Sequence, residues 1–166
     1  MIVDAVDIKL NKKDAIKYLK NKMPLMSRVV QFNNISQEIH IEYIEFKVIS
    51  YEIITKTKLN NFLNYKPKSD KFISLINTHN GCSECIKNIP NTSKKYISKS
   101  YIKKNKLKEE DILLNTKNNI IFYLKEKSKD NIDKLNIKDI NILNIKSIYK
   151  PYWISNYKGK DILIDA

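Results

Sequence analysis

The chain reads as an α+β protein. Three observations predict it: two amphipathic stretches at helical spacing, several β-branched and aromatic runs at a period of two, and turn dipeptides placed between those runs. The runs sit next to one another in the chain, so they pair antiparallel. The expected architecture is an antiparallel sheet with two main helices on one face, arising from an internally duplicated unit of one helix followed by antiparallel strands.

The densest strand signal lies between Ile140 and Ala166. Ile142, Ile145, Ile148, Tyr149, Tyr152, Trp153, Ile154 and Tyr157 fill it. It breaks at Lys158-Gly159-Lys160 and resumes as Ile162-Leu163-Ile164. This predicts a hairpin, with Trp153, the only tryptophan, inside it.

From the start, Ile2 to Ile8 reads as a short strand. Asn11 can cap a helix, and Asp14, three residues on, makes a pair resembling a capping box. The helix then runs from about Lys12 to Lys22. Ala15, Ile16, Leu19 and Met23 lie on one face and Tyr18 at its edge, and Pro24 ends it. From Val29 to Ile54 the period is two. A change of phase between Val48 and Ile49 suggests a bend or bulge.

Thr55 to Lys71 is lysine-rich, contains Pro67 and reads as a loop. Phe72 to Ile76 is a strand, Asn80-Gly81 its hairpin turn, and Cys82 to Ile89 the return. Asn91 to Lys108 has no regular pattern. Glu109 to Lys127 is helical, with an interruption near Asn115-Thr116, and Ser128 to Asp139 links it to the final hairpin.

The duplication rests on three likenesses in the same order. Ala15 to Lys22 parallels Ile120 to Lys127. Ile44, Val48, Tyr51 and Ile53 repeat the spacing of Ile145, Tyr149, Tyr152 and Ile154. Leu75 to Thr78 resembles Leu163 to Ala166, and both resemble Ile2 to Ala5. The expected organisation is one domain over 1–166, with repeat halves of about 1–90 and 91–166. One such unit alone would bury too little apolar area to stand.

Composition bounds the function. The formal net charge is +13, and all but one of the 31 basic residues are lysine, Arg28 being the exception. Lysine, isoleucine and asparagine together are what A/T-rich coding produces, yet that bias alone does not explain why only 18 acidic residues offset them. A field of this sign favours an anionic partner, nucleic acid or an acidic protein. Without arginine such binding would run through phosphate-type contacts, not bidentate base readout. The expected contributors are Lys12, Lys13, Lys17 and Lys20 on the first helix, and the Lys94–Lys108 segment with Lys103, Lys104, Lys106 and Lys108.

Reactive side chains concentrate only in His79-Asn80-Gly81-Cys82-Ser83-Glu84-Cys85. His79, Cys82 and Cys85 would be the ligands of a metal such as zinc, or the two cysteines a thiol–disulfide pair; the bland reading is a hairpin turn with incidental cysteines. Two isolated glycines build no phosphate loop, and no nucleophile, base and acid stand in a recognisable pattern. Tyr149, Tyr152, Trp153 and Tyr157 beside lysines offer a base-stacking platform, against which stands an alternation that sends some of them into the core. Glu109-Glu110-Asp111 reads as a helix start, favourable to the macrodipole.

These features point away from catalysis. They lead to a non-catalytic binding or interaction module with a basic surface; the alternative is a metal- or thiol-dependent protein using Cys82 and Cys85. No basic segment followed by an apolar one opens the chain, and no apolar run reaches membrane-spanning length, so a cytoplasmic protein is expected.

Overall fold

The computed structural model describes residues 1–22, 39–58, 65–127, 136–157 and 160–166. Among them are a seven-stranded, mostly antiparallel sheet and two α-helices, an α+β architecture. The elements are β1 (Ile2–Ala5), α1 (Lys12–Lys22), β2 (His40–Lys58), β3 (Tyr65–Asn77), β4 (Ser83–Ile86), β5 (Ser93–Tyr96), a 3₁₀ turn (Lys99–Tyr101), α2 (Glu109–Lys127), β6 (Asn136–Tyr157) and β7 (Lys160–Asp165). The strand order is β4-β3-β2-β6-β1-β5, and β7 pairs with β6. β1 meets β6 in parallel, at Ala5 and Tyr149.

The first helix begins where its cap dictates. Asn11 Oδ1 accepts from the Asp14 amide at 2.9 Å, and Asn11 Nδ2 donates to Asp14 Oδ2 at 2.7 Å. Ala15 and Leu19 are buried, Ile16 is half-buried and Tyr18 is exposed, as the spacing predicts. Met23 and the Val29–Glu38 part of the expected strand region lie outside the described residues, as does the Lys158-Gly159 turn.

Two strand expectations are corrected. At the phase change of Val48 and Ile49 there is no bulge on the β3 side, because the β2–β3 register runs without a skipped residue from Phe46 opposite Asn77 to Lys58 opposite Tyr65. Both phases are buried instead, Val48 as fully as Ile49, so β2 is covered on both faces at its middle. Secondly, Thr55–Lys71 is not wholly loop: β2 continues to Lys58 and β3 begins at Tyr65. Pro67 is tolerated because β4 covers β3 only from Ile73 to Ile76, so a missing N–H at Pro67 breaks no β4 ladder bond.

The second helix is also uninterrupted through Asn115-Thr116. Thr116 is buried and folds its hydroxyl back onto the Ile112 carbonyl at 2.6 Å, which satisfies it without breaking the helix. The unpatterned stretch after Asn91 contains β5 and the 3₁₀ turn.

The chain forms two compact units. The first consists of Met1–Glu45, Pro90–Lys104 and Ile148–Ala166. In it, Ala15 and Leu19 of α1 pack with Ile39 and Ile164, joined by Leu10, Ile16, Trp153 and Ile162. A second cluster joins Val3, Ala5, Tyr43, Ile97 and Tyr149. The other unit consists of Phe46–Ile89 and Asn105–Ser147. Its core sets Ile112, Ile120 and Leu124 of α2 against Ile49, Tyr51, Ile53 and Ile76. Each fully buried isoleucine there contributes about 1.5–3 kcal/mol relative to leaving it exposed.

Candidate functional site

The lysine-rich segment Ser93–Lys104 contains five lysines and no carboxylate, and the structure sorts those lysines into two kinds. β5 lies antiparallel to β1, with Ile2 opposite Tyr96, Val3 opposite Lys95 and Asp4 opposite Lys94. Ile97 closes the pair, its amide donating to the Met1 carbonyl at 2.9 Å, and its side chain is buried with Val3 and Tyr43. The chain then turns: the Tyr101 amide bonds the Ser98 carbonyl at 3.0 Å, and the Ile102 amide bonds that of Lys99 at 3.2 Å. Beyond the turn it runs alongside β2, through a parallel bridge between Ile102 and Tyr43 and a 2.9 Å bond from the Lys103 amide to the Tyr43 carbonyl.

Two lysines turn to carboxylates. Lys95 Nζ lies 2.6 Å from Asp7 Oδ1, which also accepts from Ser93 Oγ at 3.1 Å. The Lys95 and Ser93 hydrogen bonds hold the Asp7 carboxyl below its ordinary range. Lys103 Nζ donates to Asp161 Oδ2 at 2.9 Å and stands 3.5 Å from Glu42 Oε2, an ion-pair distance without a hydrogen bond. Burial pulls the Lys103 ammonium down, but Asp161 and Glu42 outweigh it and the net shift is upward. Lys103, mostly buried, is therefore spent within the fold. Lys94, Lys99 and Lys104 are exposed.

Against this segment lies an open groove of about 380 Å³ lined by Ile41, Tyr43, Tyr96, Ile97, Ser98 and Tyr101. Its floor is apolar because Tyr43 and Ile97 belong to the core. Tyr96 and Tyr101 stand outside the core, 81% and 50% exposed. The sequence hint was there, in lysines interleaved with tyrosines along Ser93–Lys104, but exposure on a sheet edge is a property of the pairing and not of the local pattern.

The other lysines are placed as follows. Lys12, Lys13, Lys17 and Lys20 are exposed on α1, in the same unit as the groove; at 100° per residue Lys13, Lys17 and Lys20 fall within one narrow arc. Lys106 and Lys108 are exposed and belong to the other unit. There Lys108 precedes α2, its carbonyl accepting from the Ile112 amide at 3.1 Å, and Glu109, Glu110 and Asp111 occupy the first turn.

The His79–Cys85 stretch is the β3–β4 hairpin. Gly81 has φ of 77°, the left-handed conformation its turn requires. Asn77 Oδ1 accepts from the His79 and Asn80 amides at 2.8 and 3.3 Å, and Asn80 Oδ1 from the Cys82 amide at 2.9 Å. The hairpin is moored to the segment before α2: the Thr78 carbonyl accepts from Lys106 and Leu107, each at 3.2 Å. Both cysteines are free and exposed. Cys85 Sγ approaches the Tyr51 hydroxyl at 3.8 Å and Ser74 Oγ at 3.9 Å. Among the described residues no three His, Cys, Asp or Glu side chains stand together as a metal-holding group, so His79, Cys82 and Cys85 are not gathered into one.

Of the terminal aromatics, Tyr152 is half-buried, with the Lys150 ammonium 5.7 Å from its ring centre. Tyr149 is buried, and Trp153 packs against the α1 cluster with its indole bonded to a main-chain carbonyl. Tyr157's side chain lies outside the described residues. No described helix is long and apolar enough to cross a membrane. No family model, curated protein or solved structure matches this chain at a significant level.

Proposed function

We propose that this protein is a non-catalytic binding module that holds an anionic partner on the exposed lysines of Ser93–Lys104, helped by the lysine stripe of α1. One observation carries the reading: the segment places lysines at five of its twelve positions with no acid among them, and while Lys95 and Lys103 serve ion pairs of the fold, Lys94 and Lys99 stand exposed beside the groove. The groove lining supports binding over catalysis, since it offers isoleucine, serine and tyrosine and no paired acid and base.

Binding should be electrostatic. Affinity for a polyanion then falls steeply with salt, log K against log[salt] sloping by about −0.9 per phosphate neutralised on duplex and about −0.7 on a single strand. Titrating fluorescent polyphosphate or oligonucleotide with the full chain at two salt concentrations tests it. No binding to any polyanion at low salt would sink the reading.

We infer also that the chain arose by duplication of a helix–strand–strand unit. The connectivity supports it: α1 is followed by β2 and β3, and α2 by β6 and β7. In addition, each helix packs on strands of the other half, α1 on Ile164 and Trp153, α2 on Tyr51, Ile53 and Ile76. The third likeness does not extend to register, since Leu75 faces Val48 whereas Leu163 faces Ile154. Failure of α1–β2–β3 to overlay on α2–β6–β7 would remove the duplication.

A further inference from the structure

The tyrosine groove asks for something that lysines alone do not explain. Tyr96 sits on a strand at the end of the sheet order, opposite an exposed Ile2, and Tyr101 flanks the same groove from the 3₁₀ turn. An edge strand with large exposed apolar side chains is a liability in water, and a patch of this kind marks a contact surface. The groove volume of about 380 Å³ lies at the low end of the range of small-molecule sites, about 300–1,000 Å³.

The charge beside it selects among ring-bearing partners. Each exposed tyrosine of the groove is preceded two positions earlier by an exposed lysine, Lys94 before Tyr96 and Lys99 before Tyr101. On β5 that spacing puts Lys94 and Tyr96 on the same face. A partner that alternates anionic groups with flat aromatic rings complements this arrangement. Single-stranded nucleic acid has that chemistry: bases stack on aromatic side chains while phosphates follow the cations. A duplex does not fit, because its rings are stacked on each other and unavailable. The opposing carboxylate at Asp4 faces Lys94 across the ladder, which leaves Lys99 the less compensated cation of the two.

We propose that the groove between Tyr96 and Tyr101 is a base-stacking site for single-stranded nucleic acid, with Lys94 and Lys99 contacting the flanking phosphates. Tyrosine faces accept any base, and among the described residues there is no arginine to offer bidentate base readout, so binding is sequence-tolerant. This rests on the anionic-partner reading above and narrows it to one polymer and one pocket.

Fluorescence anisotropy with the full chain tests it. The probes are a labelled single strand of about 12 nucleotides, within the span such sites cover, an abasic strand of the same length and charge, and a duplex. The base-bearing strand should bind more tightly than either of the others. Tyr96→Ala or Tyr101→Ala should weaken it by about 5- to 160-fold, the range for removing one base-stacking aromatic, with Tyr96→Trp restoring it. Tyr96 is 81% exposed, so its removal leaves the core intact, which a circular dichroism melt verifies. Equal binding of abasic and base-bearing strands, insensitive to both tyrosine changes, overturns the groove while the anionic reading stands. Duplex binding as tight as single-strand binding also overturns it. If poly-glutamate competes fully and shows the same tyrosine dependence, the groove belongs to an acidic polypeptide and the inference falls. Absence of binding by every probe at low salt overturns both readings together.

Discussion

Trp153 Nε1 donates to the main-chain carbonyl of Leu10 at 2.7 Å, tying β6 to the turn that leads into α1 across 143 residues of chain. The indole is half-buried against Leu10, Ile16 and Leu19, so it supplies both area and a directional bond. Trp153→Phe keeps most of the area and frees the carbonyl. It should cost about 1 kcal/mol, and Trp153→Ala clearly more. Urea denaturation of the two variants checks the order; a Trp153→Phe variant as stable as the parent would mean the bond contributes nothing.

At the start of α1, Asn11→Ala removes the acceptor for the Asp14 amide and should cost about 1 kcal/mol, whereas Asn11→Ser or Asn11→Asp should keep most of it. The readout is the thermal midpoint followed by far-ultraviolet circular dichroism.

Gly81→Ala should destabilise the β3–β4 hairpin by about 1–2 kcal/mol, the cost of a left-handed L-residue. A new Cβ would also lie 3.0 Å from Leu107 Cδ1, a flexible methyl that can give way. Gly81→Asn should cost less than Gly81→Ala, since asparagine tolerates this conformation. Chemical denaturation of both decides it, and an unchanged Gly81→Ala would show that the turn adopts another conformation.

The Asp7 and Asp161 carboxyls are both held below their ordinary value, Asp7 chiefly by hydrogen bonding to Lys95 and Asp161 by hydrogen bonding to Lys103. A carboxyl depressed in the folded state stabilises the fold above the unfolded value of about 3.9, and that contribution fades as pH falls through the folded value. The Lys103 ammonium shifts the other way, so its contribution holds below about 10.5 and fades in more alkaline solution. Both carboxyls are exposed enough for solvent screening to keep each effect small. The Asp7→Asn, Asp161→Asn double variant should lose less stability than the parent as pH falls from about 5 through the folded values of the two carboxyls. Parallel acid limbs would show that neither pair matters to folding.

The helices were legible because their signals are local. Asn11 and Asp14 announce α1, and three acids announce α2. Asn80-Gly81 announced the hairpin for the same reason. What stayed hidden depends on distant partners. Thr55–Lys58 and Tyr65–Lys71 are strands because they extend a ladder seeded by Val48 and Leu75, not because their lysines favour strand. β5 is a strand only because β1 lies beside it. The tyrosine groove escaped notice on both counts, being assembled from β2, β5 and the 3₁₀ turn, with β2 remote in sequence from the other two. Tyr149 and Trp153 looked equally suited to stacking, and only their burial separates them from Tyr96 and Tyr101.

The composition of the two units has a consequence for how the chain emerges from a ribosome. The unit begun by Met1 recruits Pro90–Lys104 and then Ile148–Ala166, and the unit begun by Phe46 recruits Asn105–Ser147. Neither can close around its core until residues beyond the midpoint have been made. Ala15 and Leu19, presented early on α1, wait for Ile164. Until then the α1 cluster has Leu10, Ile39 and Trp153 but lacks Ile162 and Ile164, so a nascent chain stalled before β7 leaves part of that apolar side uncovered.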